Sequence, residues 1–145
     1  MSIRTIFIAV GVLAGATSLA HADAATETGE LWEALQAASE EAMDSIDTMG
    51  DDPAAAALIL ETKVRKPITT AQLKWWDAMS ESEDKAPYFR HMACYNAANT
   101  LSEMSGDLVR FLQGRSSRPD VSLDSEYFLD YLGECETSFT EGGAR

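Results

Sequence analysis

The amino-acid sequence predicts an all-α fold: a single small bundle of four to five helices. Three observations carry that expectation. Apolar residues recur at steps of three and four along most of the chain, the repeat of a helix with one buried face. No segment sustains the two-residue alternation of a half-buried strand. Finally, Cys94 lies near the start of one helical stretch and Cys135 near the end of the next, where an antiparallel pair would bring them together.

Residues 1–22 read as an export signal. Arg4 precedes an apolar run from Ile6 to Ala20, and Ala20-His21-Ala22 supplies the small-x-small pattern of a signal-peptidase site. The run is shorter than the ~20 residues a membrane span requires. The expected product is a single domain of residues 23–145, periplasmic or secreted, with no membrane anchor after cleavage. That compartment is oxidising, so a disulfide between Cys94 and Cys135 would persist there. Removing residues 1–22 removes Arg4 and no acid, which takes the net charge from −13 to −14. A chain so acidic should repel nucleic acid and anionic lipid, and favours a basic partner.

A first helix is expected from Glu27 to Met49, with Leu31, Leu35, Ala38, Ala42, Ile46 and Met49 inward and Gly50 as a left-handed stop. Glu30, Glu33, Glu40, Glu41, Asp44 and Asp47 fall on another arc, with Trp32 and Met43 on the flank between. Asp23 to Glu61 holds eleven acids and no Lys or Arg. Asp52-Pro53 reads as a cap and first turn, opening a second helix that Pro67 should interrupt after Lys66. Thr69 with Gln72 fits a capping box and Ile68 with Leu73 a hydrophobic staple, opening a third helix to about Ser80. Its adjacent Trp75 and Trp76 point about 100° apart, one for the core and one for the edge.

Tyr88–Phe139 reads as two helices. The first carries Ala93, Ala97, Leu101, Met104, Leu108 and Leu112 on one face, Cys94, Ala98 and Ser105 beside them, and ends at Gly114. The second begins near Leu123, capped by Ser122 or Asp124, with Phe128, Tyr131, Leu132, Cys135 and Phe139 as its stripe. The tail after Phe139 reads as frayed.

Several chemistries lack their residues. His91 is the one histidine after the signal, and neither a His-Glu-x-x-His nor a Cys-x-x-Cys occurs. Cys135 is followed by Glu136-Thr137-Ser138, so the Cys-x-x-Cys-His of covalent haem is missing. Asp44, Asp47, Asp51 and Asp52 do not follow the alternating ligand pattern of a calcium loop. No cofactor and no metal are expected. His91, Tyr95 and Asn99 form a row at steps of four, either a hydrogen-bonded rim between helices or a small polar site with His91 as acid or base.

The sequence therefore points to a non-enzymatic protein that binds a basic protein through an acidic helix face. The expected contacts are Trp32, Glu33, Glu40, Glu41, Asp44, Asp47, Trp75 and Trp76. In two places, Met92-Ala93-Cys94-Tyr95 and Tyr131-Leu132-Gly133-Glu134-Cys135, the chain loosely resembles the small, helical, disulfide-bearing immunity proteins of type VI secretion. That resemblance implies an inhibitor of a toxin. Acid-activated periplasmic chaperones are similar in being small, helical and single-disulfide, which implies client binding at low pH. A hydrolase-type enzyme using His91 is the third expectation.

Overall fold

A computed structural model describes the backbone of residues 11–141 and the side chains of residues 24–140. In chain order the elements are α1 (Gly11–Thr48), α2 (Pro53–Ile59), a π-helical segment (Leu60–Arg65), α3 (Lys66–Glu81), α4 (Ala86–Phe89), α5 (Met92–Leu112) and α6 (Ser122–Glu141). Among the described residues there is no strand, and the fold is all-α. The chain runs up through α1, down through α2 to α3, up α5 and down α6. Residues 1–10 of the expected signal and residues 142–145 of the expected tail lie outside the described residues. The Ala22–Asp23 bond expected to be cleaved lies within the helical backbone of α1.

Among the described side chains, the buried face of α1 holds Ala24, Thr28, Leu31, Leu35, Ala38 and Ser45. The expected stripe holds as far as Ala42 and then departs from the pattern: Ser45 is buried and Ile46 is 53% exposed. The steps of four and three that run from Thr28 to Ala42 continue to Ser45, and its hydroxyl is satisfied by donating to the Ala42 carbonyl at 2.7 Å. Gly50 is not left-handed. That conformation belongs to Gly114, φ 69°, where α5 closes in a Schellman pattern: Arg115 N–H donates to the Arg110 carbonyl at 2.8 Å and Gly114 N–H to that of Phe111 at 2.9 Å.

Asp52 caps α2 as expected, its carboxylate accepting from Ala55 N–H at 2.9 Å. Pro67 does not end the helix. The coil from Pro53 to Glu81 is continuous, because residues 60–65 loosen into a π-helical turn in which Lys66 N–H donates to the Glu61 carbonyl. A wider turn moves the preceding carbonyls away from the proline ring and tolerates its missing donor. Leu60, Val64 and Ile68 then face inward across the transition, all buried, and this burial keeps the rod whole.

With no helix start at Thr69, the capping box and staple do not form. Thr69 is an exposed interior position, Gln72 is buried, and Ile68 and Leu73 take opposite sides, Leu73 being 59% exposed. Gln72 instead donates to the Tyr95 carbonyl of α5, which serves a buried amide better than its own helix end could.

The rod runs antiparallel to both α1 and α5. Lys74 pairs with Glu27 (3.5 Å) and Glu30, and Lys63 with Glu41 (3.1 Å). Trp75, wholly buried, donates its indole N–H to Thr28 Oγ1 at 3.0 Å. On the α5 side, Gly106 lets the rod approach: a Cβ there would lie 3.2 Å from Arg65 Nε. Trp75 also packs against Tyr88 and Tyr95, ring centroids 5.5 Å apart in each case.

The stretch from Tyr88 is broken rather than one helix. α4 carries Pro87 in its first turn and ends at Phe89, and His91 (φ −107°, ψ 18°) opens α5. The face of α5 turned to the core centres on Cys94, Ala98, Leu101, Ser105 and Val109, with Met104 and Leu108 toward its edge. α6 lies antiparallel along α5 on the expected stripe. The Cys94–Cys135 disulfide joins them, with a Cα–Cα distance of 4.7 Å and both cysteines fully buried.

Candidate protein-docking surface

The expected contact residues do not share one surface. Trp75 is core. Trp76, 44% exposed, stacks on Tyr95 at 5.5 Å, and it lies on the α5 side of α3, whereas Lys74 on the other side reaches α1. Trp32 is half-buried under Phe139 of α6, ring centroids 5.8 Å apart. Glu41 is engaged with Lys63.

Four of the predicted acids remain together on the outer face of α1: Glu33, Glu40, Asp44 and Asp47 are exposed, and among the described residues none of them is in a salt bridge within 4.0 Å. The acids facing the rod, Glu27, Glu30 and Glu41, are those that meet its lysines. The short contact with Glu30, reinforced by the charge of Glu27, raises the Lys74 ammonium above its ordinary pKa and holds its charge. Such exposed bridges orient the helices more than they stabilise them.

The distribution of charge extends beyond α1. Helix α6 carries Asp124, Glu126, Asp130, Glu134, Glu136 and Glu141 with no Lys or Arg in its span. Among the described residues the cations lie on the rod, on α5 and in the connections beside them. This second acidic helix was visible in the sequence, where Ser122–Glu141 lacks any base, but its place relative to α1 was not. Asp120 sits just before α6 and accepts from the Ser122 hydroxyl (2.6 Å) and backbone N–H (3.1 Å). Those two bonds hold its carboxyl below the ordinary range. The cap expected from Ser122 or Asp124 is therefore supplied just ahead of the helix, by Asp120.

His91, Tyr95 and Asn99 do not converge. Tyr95 turns to the tryptophans, Asn99 donates to Glu103 at 3.0 Å, and His91 faces α6. There its ring stacks on Phe139 at 4.9 Å and its Nδ1 lies 2.7 Å from Ser138 Oγ. The Ser138 hydroxyl donates to the Cys135 carbonyl at 2.6 Å, so it accepts from His91 Nδ1–H. Burial, aided by the positive charge of Arg90, lowers the His91 pKa. The contact ties the start of α5 to the end of α6 one turn from the disulfide. The geometry is that of a clasp: the hydroxyl proton is committed to a carbonyl rather than offered to the imidazole.

Among the described residues no three His, Cys, Asp or Glu side chains are grouped to hold a metal ion, and no helix is long and apolar enough to cross a membrane. Two shallow grooves flank the rod. One, of about 490 Å³, lies beside Pro67, Ala71 and Lys74, and the other, of about 350 Å³, between Arg65, Glu103 and Arg110. No family model, curated protein or solved structure matches this chain.

Proposed function

We propose that this chain is an exported, non-catalytic protein that binds a basic protein partner through its acidic helices, as an inhibitor or immunity protein does. The observation that carries the proposal is the segregation of charge: exposed, unbridged carboxylates cover the outer face of α1, while the described cations lie on the rod, at Arg110 of α5 and in the connections beside them. A one-sign surface raises the association rate with an oppositely charged partner and rejects like-charged ones. The expected export signal and the buried disulfide are in keeping with an oxidising compartment.

The test is charge reversal on the retained acids. Glu33→Lys with Glu40→Lys and Asp44→Lys should abolish capture of basic proteins from the exported fraction. The variant should also slow association most at low salt, where the Debye length is longest. Capture that is unchanged by the triple reversal removes the proposal.

A second reading, an acid-activated chaperone, is favoured by the bridges of Lys74 and Lys63 to α1. Protonating Glu27, Glu30 and Glu41 would remove these bridges and, with the other carboxylates neutralised and the chain left net positive, loosen the packing enough to expose apolar surface. Suppression of client aggregation at pH 2–3, absent at neutral pH, would support it.

A further inference from the structure

α6 takes its packing from α5, to which the disulfide binds it, and meets α1 where Phe139 rests on Trp32. From Trp32 the same side of α1 continues through Ser39, Met43 and Ile46, at steps of seven, four and three. From Phe139 the same side of α6 continues back through Leu132, Phe128 and Ser125, at the same steps in reverse. The helices are antiparallel, so Met43 comes level with Phe128 and Ile46 with Ser125.

In a closed four-helix bundle these side chains would bury one another. Here Met43 is 66% exposed and Ile46 53%; on α6, Phe128 and Leu132 are half-buried against the core, and Leu129, one step outward from Leu132, is 63% exposed. The two helices therefore leave an open apolar seam beyond the ring contact. Its length from Trp32 to Ile46 is about 21 Å at 1.5 Å per residue. Its lips are Glu33, Glu40 and Asp47 on α1 and Glu126 and Glu136 on α6, all exposed, and neither helix has a Lys or Arg from Asp23 to Thr48 or from Ser122 to Glu141.

We infer that this seam is a docking groove for a cationic amphipathic helix of a partner protein, set between α1 and α6. The inference rests on the proposed binding of a basic partner and names the site and the partner's form. Walls patterned at steps of three and four interdigitate with a helix of the same pattern. The apolar stripe of that helix would cover Met43, Ile46, Phe128 and Leu132, and its Lys and Arg would meet the carboxylates on both lips. A second copy of this chain would bring acidic walls against acidic walls.

The test uses the oxidised full chain and two peptides of about 14–18 residues, matched to the seam at 1.5 Å per residue. One is a leucine–lysine helix with leucines at heptad positions, and the other is oligolysine. The helix should bind more tightly than oligolysine. Met43→Gln with Ile46→Gln, checked for helicity and an intact disulfide, should weaken the helix by about tenfold or more and leave oligolysine unchanged.

Equal affinity of the helix for the wild type and the glutamine pair overturns the inference. A dimer seen by sedimentation and lost in the glutamine pair also overturns it, by giving the seam to a second copy. Charge reversal at Glu33, Glu40 and Asp44 separates the two levels. If reversal weakens both peptides while the glutamine pair does nothing, the seam fails and the acidic-face proposal stands. If reversal changes neither, both fail.

Discussion

Trp75 has the largest fully buried side chain among the described residues, and its only polar atom is satisfied by one hydroxyl, that of Thr28. Thr28→Val keeps the shape and removes the acceptor, leaving a buried donor without a partner. Stability should fall by about 1–3 kcal/mol, measured by urea denaturation, with Thr28→Ser losing less.

His91 gives the molecule a pH dependence of known sign. Its folded pKa lies below the ordinary ~6.5 that the unfolded chain retains. Between those two values the unfolded state binds more protons. The contribution is therefore fully present above ~6.5 and is lost as pH falls through the folded value. On going from pH 8 to 5.5 the melting temperature should change less favourably for the wild type than for His91→Gln. Equal differences would mean the ring does not report this burial.

Among elements, the rod from Pro53 to Glu81 shows where local signals yield to packing. A capping threonine and a proline act within a few residues, and here Pro67 and Thr69 both suggested a boundary. The boundary is absent because Leu60, Val64, Ile68 and Trp75 all enter one core, and a single π-helical turn lets them do so without losing the coil. α6 is governed by simpler rules. Gly133 is an exposed interior position at which an added Cβ meets nothing within 4 Å. Gly133→Ala should raise stability by about 0.5–1 kcal/mol through backbone entropy, read as a higher denaturation midpoint. Gly106→Ala should gain less, since its Cβ must displace the Arg65 guanidinium.

Across the bundle, α1, the rod and α5 pack on one another, whereas α6 depends on α5. The disulfide closes a separation of 41 residues, which on the chain-entropy model stabilises by about 4 kcal/mol. Cys94→Ala with Cys135→Ala should lose about that amount, and hydrogen exchange should show α6 amides exchanging before those of α1. Uniform exchange across α1, the rod, α5 and α6 would contradict this dependence.

Residue spacing was enough for the helical class, the antiparallel last pair, the division of Trp75 from Trp76 and the excess of acid on α1. Each is a property within one element, or of two elements adjacent in the chain, and helical periodicity reports that directly. The bridge between Cys94 and Cys135 needed, besides spacing, the expected export signal and the oxidising compartment it implies. Packing between elements was needed to place Pro67 inside a rod, to turn Ser45 inward rather than Ile46, to set His91 against Ser138, and to cover Trp32 with Phe139. These depend on which neighbour each face meets. The same dependence limits the contact of α6 with α1, marked by Trp32 and Phe139, because the covalent tie and the apolar stripe of α6 both commit it to α5.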